Sequence, residues 1–320
     1  MTTVAILLST YNGTAFLREQ LESLRVQTHP DFFIYWRDDG STDKTREIVR
    51  CFCQEHPEFH LMECTAEKGV NLGYRRSFWT LLRECPKADV YAFCDQDDVW
   101  LPHKVADAVS RLLAASTNPK QPVLCTSNFK YASADLSRRT PAPFHAETIG
   151  LKDLLFYTPV FGFTLMLNEP LRQFALESVR NRNLPHDRWC AFLAATFGRI
   201  VREPRPSALY RRHGATVTSA GDGFLQSVHA WYRREIAGDA FREFPEFMST
   251  FRDTFPKTIP SEADALFKRF LPAEAPWPVR LRRALTPMRF RPTLAGEVAL
   301  RLSLLRRIRA EKQSSPHHAS

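Results

Sequence analysis

Over the first 127 residues, short β-branched or aromatic runs alternate with stretches of helical period. The runs at 4–8, 32–36, 59–63, 90–94 and 123–126 have the length and composition of buried strands. Between them Phe16, Leu17, Leu21 and Leu24 recur at helical spacing, as do Ile48, Val49 and Phe52 behind a Ser41/Thr42/Asp43 start signal. Residues 71–83 and 102–113 read as two further helices, the second with Pro102 in its first turn. Such alternation predicts βα units around a mostly parallel sheet flanked by helices, an α/β fold.

After Asn128 the alternation weakens, and residues 131–146 form a polar connection with no clear period. A strand is predicted at 163–167 and a helix at 186–197, the latter with Trp189, Phe192, Leu193, Thr196 and Phe197 on one face. Beyond Gly223 the pattern is mainly helical, with no internal repeat and no low-complexity tract.

Composition adds little until charge is located along the chain. With 44% apolar and 25% charged residues the 320-residue chain is ordinary globular protein. It has no apolar run long enough to span a bilayer and no basic, apolar leader, so a cytoplasmic protein is expected. Seven cysteines without a CxxC pair argue for free thiols over a disulfide framework or zinc site. The net charge of +9 is concentrated at one end: residues 277–320 hold ten basic side chains against two acidic ones. The preceding 276 residues are nearly neutral.

In an open α/β sheet, ligands bind beyond the carboxyl ends of the strands. The first predicted strand ends in Ser9-Thr10-Tyr11-Asn12-Gly13, the second in Asp38-Asp39-Gly40-Ser41 and the fourth in Asp95-Gln96-Asp97-Asp98. Five carboxylates should therefore meet at one edge, where a divalent cation or a hydrogen-bonding ligand would relieve their repulsion. Asp38-Asp39-Gly40-Ser41 alone reads equally as a tight turn, but three acids directly after an apolar strand serve no packing purpose.

These motifs, with Asn71-Leu72-Gly73 before a helix, resemble the family 2 glycosyltransferases of GT-A fold. Gly162-Phe163-Thr164-Leu165-Met166, His186-Asp187-Arg188-Trp189 and Leu209-Tyr210-Arg211-Arg212-His213-Gly214 resemble its bacterial rhamnosyltransferase-like branch, which builds surface polysaccharides such as O-antigen. The resemblance runs in order from about residue 3 to 221. It implies a glycosyltransferase domain at 1–221, divided into a nucleotide-binding half (1–127) and an acceptor half (128–221). A helical extension (222–276) and a basic tail (277–320) follow.

By resemblance, Ser9, Tyr11, Asp39, Asn71 and Asp95 bind the nucleotide sugar. Asp97 or Asp98 meets Mg²⁺ or Mn²⁺ on the diphosphate, joined by His213, for which a structural role is the alternative. Asp187 is the implied general base of an inverting transfer; locally, a helix N-cap is the alternative. Ser77 and Phe163 depart from the family's usual residues, Asn in the helix after Asn-x-Gly and a small residue or Cys in Gly-x-Thr. Both affect which sugar is accepted, with dTDP-rhamnose a candidate donor and a lipid-linked or polysaccharide acceptor.

Two other classes compete. A sugar-phosphate nucleotidyltransferase needs a glycine- and basic-rich loop after the first strand, whereas residues 9–13 offer one glycine and no basic residue. A nucleic-acid-binding module needs aromatics interleaved with basic residues, and the tail has only Trp277 and Phe290. Nucleic acid is therefore not an expected partner. Leu294, Val298, Leu302, Leu305 and Ile308 fall on one helical stripe among arginines. That pattern predicts peripheral attachment to an anionic membrane surface, the inner face of the cell membrane.

Overall fold

The computed structural model describes residues 1–142, 148–212 and 243–306. His213, and the tail beyond Arg306, lie outside the described residues. The chain falls into two compact units, residues 1–154 with 158–219, and residues 155–157 with 220–320.

The first unit is built on a nine-stranded sheet. Strands β1 (Val4–Thr10), β2 (Phe32–Asp38), β3 (Leu61–Glu63) and β4 (Val90–Cys94) are mutually parallel in the order β3-β2-β1-β4. Helices α1 (Leu17–Arg25), α2 (Thr45–Glu55) and α3 (Tyr74–Glu84) make the crossovers, followed by the two-residue β5 (Val99–Trp100) and α4 (Lys104–Ala115). Both faces of β1 are covered, so it reads as an unbroken apolar run. Val4, Ile6 and Leu8 pack in one core with Leu17, Leu21 and Leu24 of α1, Phe52 of α2 and Val105 of α4. Each of those three helical leucines is fully buried, which stabilises the fold by about 2 kcal/mol apiece.

Residues 123–211 continue the same sheet but change its direction. The order runs on through β8 (Leu165–Asn168), β6 (Val123–Ala132) and β9 (Arg199–Arg211) to β5, with β7 (Arg139–Pro141) on the flank of β6. Strand β8 is antiparallel to both β4 and β6, whereas β9 is parallel to β6. A short α5 (Leu151–Leu154) and a 3₁₀ turn at Gly162–Thr164 precede β8, and α6 (Glu169–Ser178) and α7 (His186–Phe197) follow it. The observed α7 matches the predicted 186–197; β9 and α6 were not anticipated.

The order of the strands sets where a ligand goes. From β1 the chain steps outward to β2 and β3, then returns to the other side of β1 as β4. This reversal leaves a crevice at the carboxyl ends of β1 and β4.

The second unit contains α8 (Glu243–Thr254), α9 (Ser261–Phe270), α10 (Trp277–Ala284) and α11 (Leu294–Leu305). Its core is aromatic: Phe156, Phe270 and Phe290 meet in edge-to-face pairs with centroids 5.0 to 5.4 Å apart. Phe251 and Phe267 join α8 to α9. All seven cysteines of the chain are free thiols, five of them buried.

Candidate active site

Ser9 to Gly13, leaving β1, face Asp95 to Asp98, leaving β4. Gln96 ties the two loops together: its Oε1 accepts from the Tyr11 N–H at 2.8 Å and its Nε2 donates to the Tyr11 carbonyl at 2.9 Å. Gly13 makes room for that amide, since a Cβ there would fall 2.4 Å from Gln96 Oε1. With its backbone held, the Tyr11 ring is 47% exposed at the crevice rather than packed in the core.

The second loop pair surrounds Asp39. Its Oδ1 accepts from the Leu72 N–H at 2.9 Å and its Oδ2 from the Gly73 N–H at 2.8 Å, and it is ion-paired with the buried Arg37. Arg37 also donates to the carbonyls of Glu67 and Val70 and to Ser77 Oγ, which lies 2.7 Å from Ser9 Oγ. One guanidinium thus fixes residues 67–73 against the end of β2. Gly40, at φ +83°, permits this approach, because a Cβ would sit 3.2 Å from the Gly69 carbonyl oxygen. Asn71 is exposed on the same loop, its Oδ1 accepting from the Gly73 N–H.

The five acidic residues do not all face the crevice. Asp38 serves the turn, accepting from Thr10, from both the N–H and Oγ of Ser41, and pairing with Arg46. Asp98 is 1% exposed; its Oδ1 accepts from the Arg211 N–H at 3.3 Å while its Oδ2 has no hydrogen-bond partner. Burial, with the charges of Asp95 and Asp97, pushes the Asp98 carboxyl well above the usual carboxylate range. Lys104 lies beside it, buried over the Trp100 ring, donating to Ser207 Oγ and lowered to about 8 by desolvation.

Asp95 and Asp97 are the half-buried carboxylates at this edge. Desolvation raises Asp95 to about 7, and the charges of Asp97 and then Asp187 add to the shift. Asp187, in the first turn of α7, is thereby brought electrostatically alongside a strand end 92 positions earlier in the chain. The N-cap position of α7 is Pro185, and the Asp187 Oδ1 accepts only from the next residue's N–H, that of Arg188, at 2.7 Å.

Three further residues, present in the sequence motifs but given no role in holding the site, shape it. Arg211 is 1% exposed; its Nε donates to the Asp97 carbonyl at 2.9 Å, its other nitrogens reach Ala134 and Glu19, and it lies over the Phe16 ring. It locks the backbone of the Asp97–Asp98 turn. His186, 4% exposed, is wedged between the rings of Phe78 and Phe93 at 4.5 and 4.4 Å, and burial lowers it to about 4, so the imidazole is neutral. Phe163 stacks on Tyr210 at 5.1 Å within a cluster that includes Phe129.

Among the described residues no three His, Cys, Asp or Glu side chains form a ready-made metal cage. The donor set suits a hard cation that takes one or two carboxylates and completes its shell with phosphate oxygens and water.

Three comparisons bear on this site. Residues 5–174 match the family model described as "Glycosyl transferase family 2". The chain is 26% identical over 248 residues to "dTDP-rhamnosyl transferase RfbG" of Shigella flexneri, covering 72% of this chain and 82% of that protein. It is 24% identical over 183 residues to "Putative teichuronic acid biosynthesis glycosyltransferase TuaG" of Bacillus subtilis, covering 56% of this chain and 68% of that one. Among solved structures, S. aureus TarS 1-349 in complex with UDP-GlcNAc superposes with a TM-score of 0.54 at 16% identity, over 95% of this chain and 90% of that chain.

Proposed function

The chain belongs to glycosyl transferase family 2, and from that footing we propose that it is an inverting, metal-dependent transferase of surface-polysaccharide synthesis. It moves a sugar, with rhamnose the first candidate, from a nucleotide donor to a lipid-linked or polysaccharide acceptor. The observation that carries this reading is the placement of the half-buried Asp95 and Asp97 directly after β4 beside the β1–β4 crevice, with Asp187 within electrostatic reach of Asp95.

Tyr11, Ser9, Asp39 and Asn71 line the nucleotide end of that crevice. Asp39 and the 71–73 loop, held by Arg37, offer a preformed polar wall for base and ribose. Asp97, with Asp95 beside it, would hold a divalent cation, whereas Asp98 is turned into the fold and keeps the loop's shape. When bound, the cation neutralises charge developing on the departing nucleoside diphosphate. Asp187 accepts the proton of the acceptor hydroxyl as its oxygen bonds to the anomeric carbon from the face opposite the leaving group. One base suffices, because the bond to the diphosphate breaks in the same displacement and configuration inverts. The rhamnose assignment draws on the likeness to RfbG, whose name specifies a dTDP-rhamnosyl transferase.

The basic segment 277–320 holds the enzyme at an anionic membrane surface, the inner face of the cell membrane, where lipid-linked acceptors are found. No helix among the described residues is long and apolar enough to cross a membrane.

A panel of nucleotide sugars, including dTDP-rhamnose, UDP-GlcNAc and GDP-mannose, tests the reading by donor hydrolysis with and without Mn²⁺. Metal-dependent turnover of one donor is expected. Binding of every donor without turnover or metal dependence would contradict it.

A further inference from the structure

On α10 and α11 of the second unit, Arg280, Arg283 and Arg301 turn inward, whereas a set of apolar side chains on each helix faces water, although Leu300 is buried. Arg283 is 5% exposed and donates from Nε to the Arg269 carbonyl at 2.8 Å. Arg301 donates to the carbonyls of Ala284, Thr286 and Met288 and pairs with Glu297. Arg280 donates to the Leu305 carbonyl at 2.6 Å. These guanidinium groups bind the chain's own carbonyl groups: Arg280 and Arg301 fasten α10 and α11 to each other, and Arg283 ties α10 to α9.

The apolar side chains have the opposite placement. Trp277, Leu281 and Leu285 follow one another at four-residue spacing along α10 and its C-cap, and Leu294, Val298 and Leu302 do so along α11. Each set lies along one helical face. All six are exposed, from 38% at Leu281 to 75% at Leu294, while the small Ala284 and Ala299 are buried behind them. Two parallel-spaced apolar stripes left in water, next to arginines drawn inward, are the reverse of a water-facing helix pair.

We propose that this face inserts into the interfacial region of an anionic lipid leaflet, so that membrane attachment rests on apolar side chains as well as charge. The proposal rests on the reading that residues 277–320 meet a membrane. Charge selects the occupant. Residues 277–306 contain seven arginines and one glutamate, among them the exposed Arg282, Arg289 and Arg306. A second copy of this face would oppose like charge to like charge, whereas an anionic leaflet offers opposite charge and an apolar layer together. Tryptophan prefers that boundary. The twelve residues of α11 reach about 18 Å, too short to span the roughly 30 Å hydrocarbon core, so the helices lie in the leaflet.

Sedimentation of the full chain with phosphatidylglycerol–phosphatidylethanolamine vesicles, and with pure phosphatidylcholine vesicles, tests this in low and high salt. Three proteins are compared: wild type, Leu294→Gln/Val298→Gln/Leu302→Gln, and Arg282→Gln/Arg289→Gln/Arg306→Gln. Glutamine preserves helix propensity at these exposed positions, and circular dichroism checks that the fold is kept. Wild type is expected to pellet with the anionic vesicles and to leave a bound fraction that high salt does not release. The apolar-stripe variant should lose that fraction, with at least a roughly tenfold drop in partitioning. The arginine variant should bind more weakly in low salt yet release less completely as salt rises.

Full release of wild type by salt, with the apolar-stripe variant unaffected, overturns insertion and leaves electrostatic attachment standing. No pelleting of wild type with either vesicle overturns the membrane reading itself. A wild-type dimer in light scattering that the apolar-stripe variant converts to monomer assigns the face to a second copy and overturns the proposal.

Discussion

The acidic edge of the sheet and the α10–α11 face leave opposite quantities unbalanced. At the edge, Arg37 neutralises Asp39 and the turn absorbs Asp38, while burial, with the charges of Asp97 and Asp187 adding to it, raises Asp95 to about 7. What gathers there is negative charge. On α10 and α11 the inward-turned arginines find carbonyl partners within the unit, and what is left over is apolar surface. Net charge therefore misleads in both places: the nearly neutral body gathers its carboxylates at one edge, and part of the basic tail spends its charge on holding itself together. The general lesson is to ask which groups folding brings together, rather than which residues are abundant.

The largest effect expected at the edge is on chemistry alone. Asp187→Asn should lower transfer by roughly 10² to 10⁴-fold, the contribution of a general base, while thermal unfolding shifts little because asparagine can still accept from the Arg188 N–H. Transfer within a few-fold of wild type would reduce Asp187 to a helix-end residue. Arg211→Met should instead act on stability, costing about 4 kcal/mol by stranding the acceptors that the buried guanidinium serves. Urea unfolding would measure it, and a loss under 1 kcal/mol would show that Arg211 does not pin the Asp97–Asp98 turn.

His186 gives a pH-dependent test. The unfolded chain takes up the histidine proton near its ordinary 6.5 and the folded chain only near 4, so the unfolded state binds more protons between those values. Stability should fall as pH drops through that window, by up to roughly 3 kcal/mol. Asp95 works the other way, binding its proton in the fold from about 7 and in the unfolded chain only near 3.8. The histidine's part is thus the difference in pH slope between wild type and His186→Asn. Identical slopes would mean that His186 is protonated in the fold. The smallest effect is expected at Asp98, whose buried carboxyl is pushed well above the usual carboxylate range and is turned away from the crevice: Asp98→Asn should leave nucleotide affinity within a few-fold, by calorimetry.

The β1–β4 part of the sheet is more legible in the sequence than the rest. Strands β1 and β4 are buried on both faces and spell uninterrupted apolar runs, and α7 announces itself through Trp189, Phe192 and Leu193. Strand β9 was hidden because its thirteen residues include Pro204, Pro206 and four arginines, and its pairing with β6 is broken by irregular register around Asn128. The site showed a similar divide. Its acids were visible as strand-end clusters, but which of them face the crevice depends on Arg37, Arg211 and Gln96, whose partners are distant in sequence. A charged residue inside an apolar strand, such as Arg37 in β2, was the one available signal of that second layer.

Calorimetric titration of a nucleoside diphosphate into the protein, with and without Mn²⁺, tests the cation requirement of the acidic edge most directly. Wild type and Asp98→Asn should bind in a metal-dependent manner, and Asp97→Ala should not. Equal affinity in all three proteins, or binding that ignores the metal, would contradict the assignment of this edge as the donor site.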